Sequence, residues 1–148
     1  MTTDRGVGNL DALYRDVILD HHRSPRNFER MENAEIKTEG YNPLCGDRIE
    51  MFLKIESGKV HSCFQGEGCS ICMSSASMMT EEMNGKSVAE VKEWIDAFRQ
   101  LMRGEKCPLS IEGDLEALLG VRQFPVRIKC ALLPWTTLQE SIQKWEQK

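Results

Sequence analysis

The sequence predicts an α+β protein, a three-stranded antiparallel sheet with helices packed on it. Three observations carry that expectation. Ile49, Met51, Leu53 and Ile55 alternate with Arg48, Glu50 and Lys54, the period of a half-buried strand. The strand-like runs around them are joined by short connections, which favour an antiparallel meander over parallel crossovers. Helical patterns fill the rest of the chain and would cover one face of such a sheet. The 148 residues are read as a single domain, 1–148, long enough to bury a sizeable core.

Taken in order, Leu10, Leu13, Tyr14, Val17 and Ile18 have helical spacing. They predict a helix over 10–22 with Asn9 as its N-cap, stopping before Ser24-Pro25, where proline disfavours continuation. His21 and His22 fall at its end, where the helix dipole favours an imidazole, and read as surface caps. Ala34, Ile36 and Thr38 form the first strand, 49–55 the second, and Val60, Ser62 and Phe64 the third, after a turn at Ser57-Gly58-Lys59. A helix follows from about Cys69 to Met83, stopped by Asn84-Gly85-Lys86. Its mixture of Ser70, Ser74, Ser75, Ala76 and Ser77 with Met73, Met78, Met79 and Met83 suits either core packing or a partner-binding face, and core packing is the favoured reading.

Ser87-Val88-Ala89-Glu90 is a capping box. Val88, Val91, Trp94, Ile95, Phe98, Leu101 and Met102 continue it as an amphipathic helix. Gly104-Glu105-Lys106-Cys107-Pro108 is looser, and Asp114 to Leu119 forms a short helix. The last element runs from about Val126 to Trp145, with Pro134 either kinking it or marking a restart.

Composition excludes several functions. A hydrophobic fraction of 41% argues for a globular chain, and a net charge of −4 leaves no general basic field for nucleic acid. No run approaches the ~20 apolar residues of a membrane helix, and Met1-Thr2-Thr3-Asp4-Arg5 leads into nothing resembling a signal peptide. The expectation is a soluble, cytoplasmic protein without membrane or nucleic-acid partners. In that compartment six cysteines are ligands, nucleophiles or core residues rather than disulfides.

Four residues point to chemistry. Cys45 and Asp47 stand two apart across Gly46, so both side chains can converge on one point. Cys69 opens a helix, and Cys130 lies between Lys129 and Ala131 with Arg127 close by. Exposed helix N–H groups and nearby cations both favour thiolates. Three cysteines and an aspartate suffice for a tetrahedral zinc site. The spacing alone leaves open that these thiols are small core residues, since free cysteine is often buried. Cys69 and Cys72 also form a CxxC pair at a helix start, which invites a redox reading. The missing βαβ context, and Ile71 between the two, weigh against it.

The stretches Asn42-Pro43-Leu44-Cys45-Gly46-Asp47, Gly66-Glu67-Gly68-Cys69-Ser70-Ile71 and Arg127-Ile128-Lys129-Cys130-Ala131-Leu132-Leu133-Pro134-Trp135 together resemble the IscU/NifU-N superfamily of iron–sulfur assembly proteins. Within it the chain resembles the SufU branch. Lys129 stands where IscU scaffolds carry a histidine, and the segment around 100–120 looks like the insertion typical of that branch. The resemblance implies the SufE/NifU-like α+β fold, and zinc held by Cys45, Asp47, Cys69 and Cys130. It implies a zinc-dependent sulfurtransferase that takes persulfide sulfur from a PLP-dependent cysteine desulfurase of the SufS type and serves a downstream Suf assembly scaffold. Cys45 would be the sulfur acceptor and Arg127 would assist it, although Arg127 read alone is equally a surface charge. The desulfurase would supply a histidine to the zinc position that Cys45 leaves. The family usually has serine where this chain has Cys72, and Cys63 and Cys107 match none of its ligands. Two alternatives stand beside this reading. One is a scaffold building a [2Fe-2S] cluster on Cys45, Cys69 and Cys130, which Lys129 disfavours because a lysine at neutral pH has no lone pair for iron. The other is a non-catalytic, zinc-stapled binding module.

Overall fold

A computed structural model describes residues 4–107 and 109–148, and within them the side chains from Tyr14 onward. The expected packing of Leu10 and Leu13, and Pro108 in the loose segment, lie outside the described residues. The elements are α1 (Asp4–Arg23), β1 (Ile36–Asn42), β2 (Asp47–Glu56), β3 (Lys59–Glu67), α2 (Ser70–Met83), α3 (Val88–Met102), a 3-10 segment (Gly113–Gln123) and α4 (Pro125–Glu146). The three strands form one antiparallel sheet in the order β1-β2-β3. The predicted α+β architecture is therefore the observed one.

β2 and β3 are joined by Ser57-Gly58, whose φ angles of 54° and 75° make the left-handed two-residue turn that matches strand twist. Their register sets Met51 opposite Phe64 and Leu53 opposite Ser62. Ile49, Met51, Leu53, Val60 and Phe64 are fully buried under the helices. The alternation is incomplete, because Phe52 and Cys63, paired on the opposite face, are buried too. Arg30 lies over the Phe52 ring at 5.5 Å and covers part of that face. The free edge of β3 is closed as well. Its outward N–H groups at Val60, Ser62 and Phe64 donate to Lys86 O, Asn84 Oδ1 and Asn27 O, which removes an unpaired edge.

α2 runs through the centre of the helical layer. Ser74, Ser75, Ser77, Met78, Met79 and Met83 are all buried, so the serine and methionine stripe is core. The serines let neighbouring helices approach and supply hydroxyls to them. Ser75 Oγ donates to Ala131 O at 2.6 Å and accepts from Trp135 Nε1 at 3.1 Å, tying α4 to α2. Phe98 of α3 stacks on Trp135 at 4.2 Å. The capping box is present, with Ser87 and Glu90 bonded reciprocally.

Several expectations need correction. α1 spans Asp4–Arg23, so Asn9 lies within it rather than at its start. Ala34 precedes β1, which instead runs on to Asn42. The short helix is a 3-10 segment that extends to Gln123. α4 is continuous, so Pro134 marks no restart. His21 is not a surface cap. It is fully buried, with Nδ1 2.7 Å from Ser77 Oγ and Nε2 2.7 Å from Asp114 Oδ2. Ser77 Oγ also accepts from Arg26 N, so its single proton is free for Nδ1. His21 thereby joins α1, α2 and the 3-10 segment, while His22 is exposed as expected.

Candidate metal centre

Three parts of the fold meet at one end of the sheet. The turn Pro43-Leu44-Cys45-Gly46 links β1 to β2, with Asn42 paired to Asp47 across its base. Gly46 has a φ of 70°, a left-handed conformation that favours glycine. It turns the chain so that Cys45 and Asp47 face the start of α4. The ligand atoms of Cys45, Asp47 and Cys130 all lie within 4.8 Å of one another. Cys130 Sγ donates to Cys45 Sγ at 3.0 Å.

Cys69 adjoins this group from the start of α2. It is the N-cap, and its sulfur accepts from Cys72 N at 3.4 Å. Its own N–H donates to Asp47 Oδ1 at 2.8 Å. Of the four predicted ligands, the structure thus gathers three tightly and sets the fourth beside them, its sulfur at the Cys72 N–H and also interacting with Arg127 and Cys130. Gly68 has no spare room, since a Cβ there would meet Asp47 Oδ1 at 2.6 Å. The glycine is what lets the Cys69 backbone reach that carboxylate.

Asp47 is fully buried, and among the described residues no lysine, arginine or histidine nitrogen pairs with it. A buried carboxylate without a cation is costly. Asn42 bridges the group, with Nδ2 3.3 Å from Asp47 Oδ2 and 3.6 Å from Cys130 Sγ. In the sequence Asn42 only opens the Asn42–Asp47 motif, with no role of its own. Its burial on the last residue of β1 is the signal that separates it from an ordinary turn asparagine.

Arg127 is exposed on the first turns of α4, yet its charge faces the sulfurs. Cys69 first, then Cys130 and Cys45, raise its pKa further above the ordinary guanidinium value. Lys129 is exposed. Burial drives the Cys130 thiol far up, assisted by its bond with Cys45 and by Asp47 and Cys69. Cys72 is fully buried behind Cys69, and burial raises it likewise. Cys63 lies away from the group on β3, pushed up to about 11 by burial.

Three sulfurs and a buried carboxylate that lacks a cation form a donor set that fits zinc. Outer contacts of the kind that orient metal ligands are already in place, from Asn42 and the Cys69 N–H to Asp47. Around the group Leu44 is 67% exposed and Phe124 59%, and an apolar cleft of about 330 Å³ lies between α1, the 3-10 segment and Arg127.

The model of the NifU-like N terminal domain family matches residues 13–148, nearly the whole chain. The chain belongs to this family. Among its relatives, the zinc-dependent sulfurtransferase SufU of Bacillus subtilis (strain 168) is 46% identical over 140 residues, covering 93% of this chain and 95% of that protein. The iron–sulfur cluster assembly scaffold protein IscU of Streptococcus pyogenes serotype M1 is 36% identical over 140 residues, covering 93% and 87%. The crystal structure of a protein from Fervidobacterium islandicum AW-1, described as a scaffold for the SUF system, superposes with a TM-score of 0.80 at 30% identity, covering 85% of this chain and 93% of that one. The NifU-like fold is thus shared through the sheet and the helices that position the cysteines.

Proposed function

We propose that this NifU-like protein is a zinc-dependent sulfurtransferase for iron–sulfur cluster assembly, accepting persulfide sulfur on Cys45 from a PLP-dependent cysteine desulfurase of the SufS type. Zinc would be held by Cys45, Asp47, Cys69 and Cys130, and when bound it keeps thiolates deprotonated at neutral pH. The observation that carries the reading is where Cys45 sits. Asp47 is on a central strand, Cys69 caps a helix and Cys130 is buried in α4. Cys45 alone lies on a four-residue turn, half-buried, beside exposed Leu44. It can leave the group at the cost of a turn, whereas the other three are held by secondary structure.

The chain's own chemistry follows from that placement. The Cys45 sulfur attacks the outer sulfur of a donor persulfide. A new sulfur–sulfur bond forms on Cys45, and the donor leaves as a thiolate. Arg127 sets positive charge beside the sulfurs, where the anionic donor must approach. The exposed apolar residues and the cleft next to Arg127 suit a protein partner docking over the turn. A SufU relative at 46% identity supports the sulfurtransferase reading, and the IscU relatives support the broader role in iron–sulfur assembly. Delivery would be to a downstream Suf assembly scaffold.

A [2Fe-2S] scaffold on Cys45, Cys69 and Cys130 is the second reading, favoured by the same cluster of thiols. Exposed Lys129 supplies no ligand to it. Elemental analysis of the purified protein beside a visible spectrum separates the two. About one zinc per chain and no colour is the expected result. Iron with visible absorption would instead establish the scaffold. Cys45→Ser is expected to abolish stimulation of desulfurase turnover while the fold is kept. Unchanged stimulation by that variant would sink the role of Cys45.

A further inference from the structure

The sulfurs of Cys45 and Cys130 face each other at 3.0 Å, with the Cys130 S–H pointing at Cys45. Bonding distance is about 1 Å away, and the turn that carries Cys45 is open on one side, with nothing within 4 Å of where a Gly46 side chain would be. Asn42 Nδ2 lies 3.6 Å from Cys130 Sγ, placed to stabilise charge developing there. Cys69, the other half-buried thiol of the group, holds its sulfur at the Cys72 N–H, and the direct sulfur–sulfur contact of Cys130 is with Cys45. A sulfur acceptor therefore sits against a second thiol that could reduce whatever it accepts.

We propose that Cys130 is a resolving thiol for sulfur carried on Cys45, and that committing Cys130 to the metal is what keeps that sulfur on the protein. The inference rests on the reading of Cys45 as acceptor. In the metal-free chain the Cys130 sulfur attacks Cys45 Sγ of the persulfide, and the bond from Cys45 Sγ to the terminal sulfur breaks. Cys45–S–SH and Cys130–SH become a Cys45–Cys130 disulfide and H₂S. The terminal sulfur is reduced to sulfide, the two cysteines are oxidised, and no outside oxidant is needed. The thiol proton leaves with the departing sulfur, so the buried thiol does not have to ionise to solvent first. With the Cys130 lone pair held by the metal this route is closed, and the sulfur waits for its acceptor. Loss of metal thus converts a sulfur carrier into a source of free sulfide and a blocked site.

The test uses the full, zinc-loaded protein. It is charged by a SufS-type cysteine desulfurase with cysteine, and both are removed by gel filtration. One half is then treated with a chelator. The chelated half is expected to release about one sulfide per chain, and its intact mass should fall to two hydrogens below the unmodified protein, with the link mapped to Cys45–Cys130. The untreated half should keep one added sulfur on Cys45. Cys130→Ser, checked for folding by circular dichroism, should keep its added sulfur in both halves. Added sulfur that stays on wild-type Cys45 after chelation overturns the proposal. So does sulfide release from Cys130→Ser equal to wild type, or a disulfide between Cys69 and Cys72. If no sulfur is gained before chelation, the acceptor reading itself fails and takes this inference with it.

Discussion

Single side chains here work through neighbours that composition does not reveal. Asn42 touches both a carboxylate and a thiol of the candidate centre. Removal of such an outer contact weakens metal binding by roughly 10–100-fold. Asn42→Ala is therefore expected to lose zinc to a competing chelator at correspondingly lower chelator concentration. An unchanged competition curve would make Asn42 merely a turn residue. Cys63 offers a prediction in pH. Burial pushes its folded pKa up to about 11, above the ordinary thiol value of 9.0. With the folded pKa raised, its contribution is full below the unfolded pKa and is lost as pH rises through the folded one. Stability should fall from about pH 9 towards 11, by on the order of 3 kcal/mol from this group. Denaturant titrations of wild type and Cys63→Ala should diverge in slope over that window. Parallel curves would assign the alkaline loss to other groups.

Between elements, α4 packs closely against β1. A Cβ on Gly40 would collide with Thr137 Oγ1 and meet Leu133 Cδ1 at 3.2 Å. This contact sets α4 on the sheet and, with the Ser75 bonds behind it, places Cys130 at the end of β1. Gly40→Ala should cost about 1–3 kcal/mol by overpacking. Combining it with Thr137→Ala should recover part of that loss, measured as urea midpoints. Strict additivity of the two changes would show that they do not share one contact. Ser75 and Ser77 of α2 act similarly, since their hydroxyls bind Ala131 and Trp135, and His21 and Arg26, which a larger side chain would push away. His21 extends the same device to the 3-10 segment through Asp114.

For the molecule as a whole, the candidate centre joins the β1–β2 turn, the start of α2 and the start of α4. Metal bound there would stabilise all three at once. A ligand at 100 times its dissociation constant contributes about 2.7 kcal/mol, which is worth roughly 5–10 °C in a chain of this size. Stripping zinc should lower Tm by that amount or more, and restoring zinc should bring it back. A Tm indifferent to zinc would remove the metal from the account of this fold. The same comparison at lower pH should show a smaller zinc effect, because protons compete for the thiols.

By itself the sequence determined the α+β class, the three strands and most helix limits, along with the cysteines and aspartate that make up the candidate centre. Those features are local: alternation, capping pairs, turn residues and short motifs are written within a few neighbouring positions. Only the tertiary structure decided where His21 goes, that Pro134 lies in an unbroken helix, that Asn42 joins two candidate ligands, and that Cys45 faces Cys130 rather than Cys69. Each depends on contacts between residues far apart in the chain. Burial and packing across elements set them, and no local pattern encodes those.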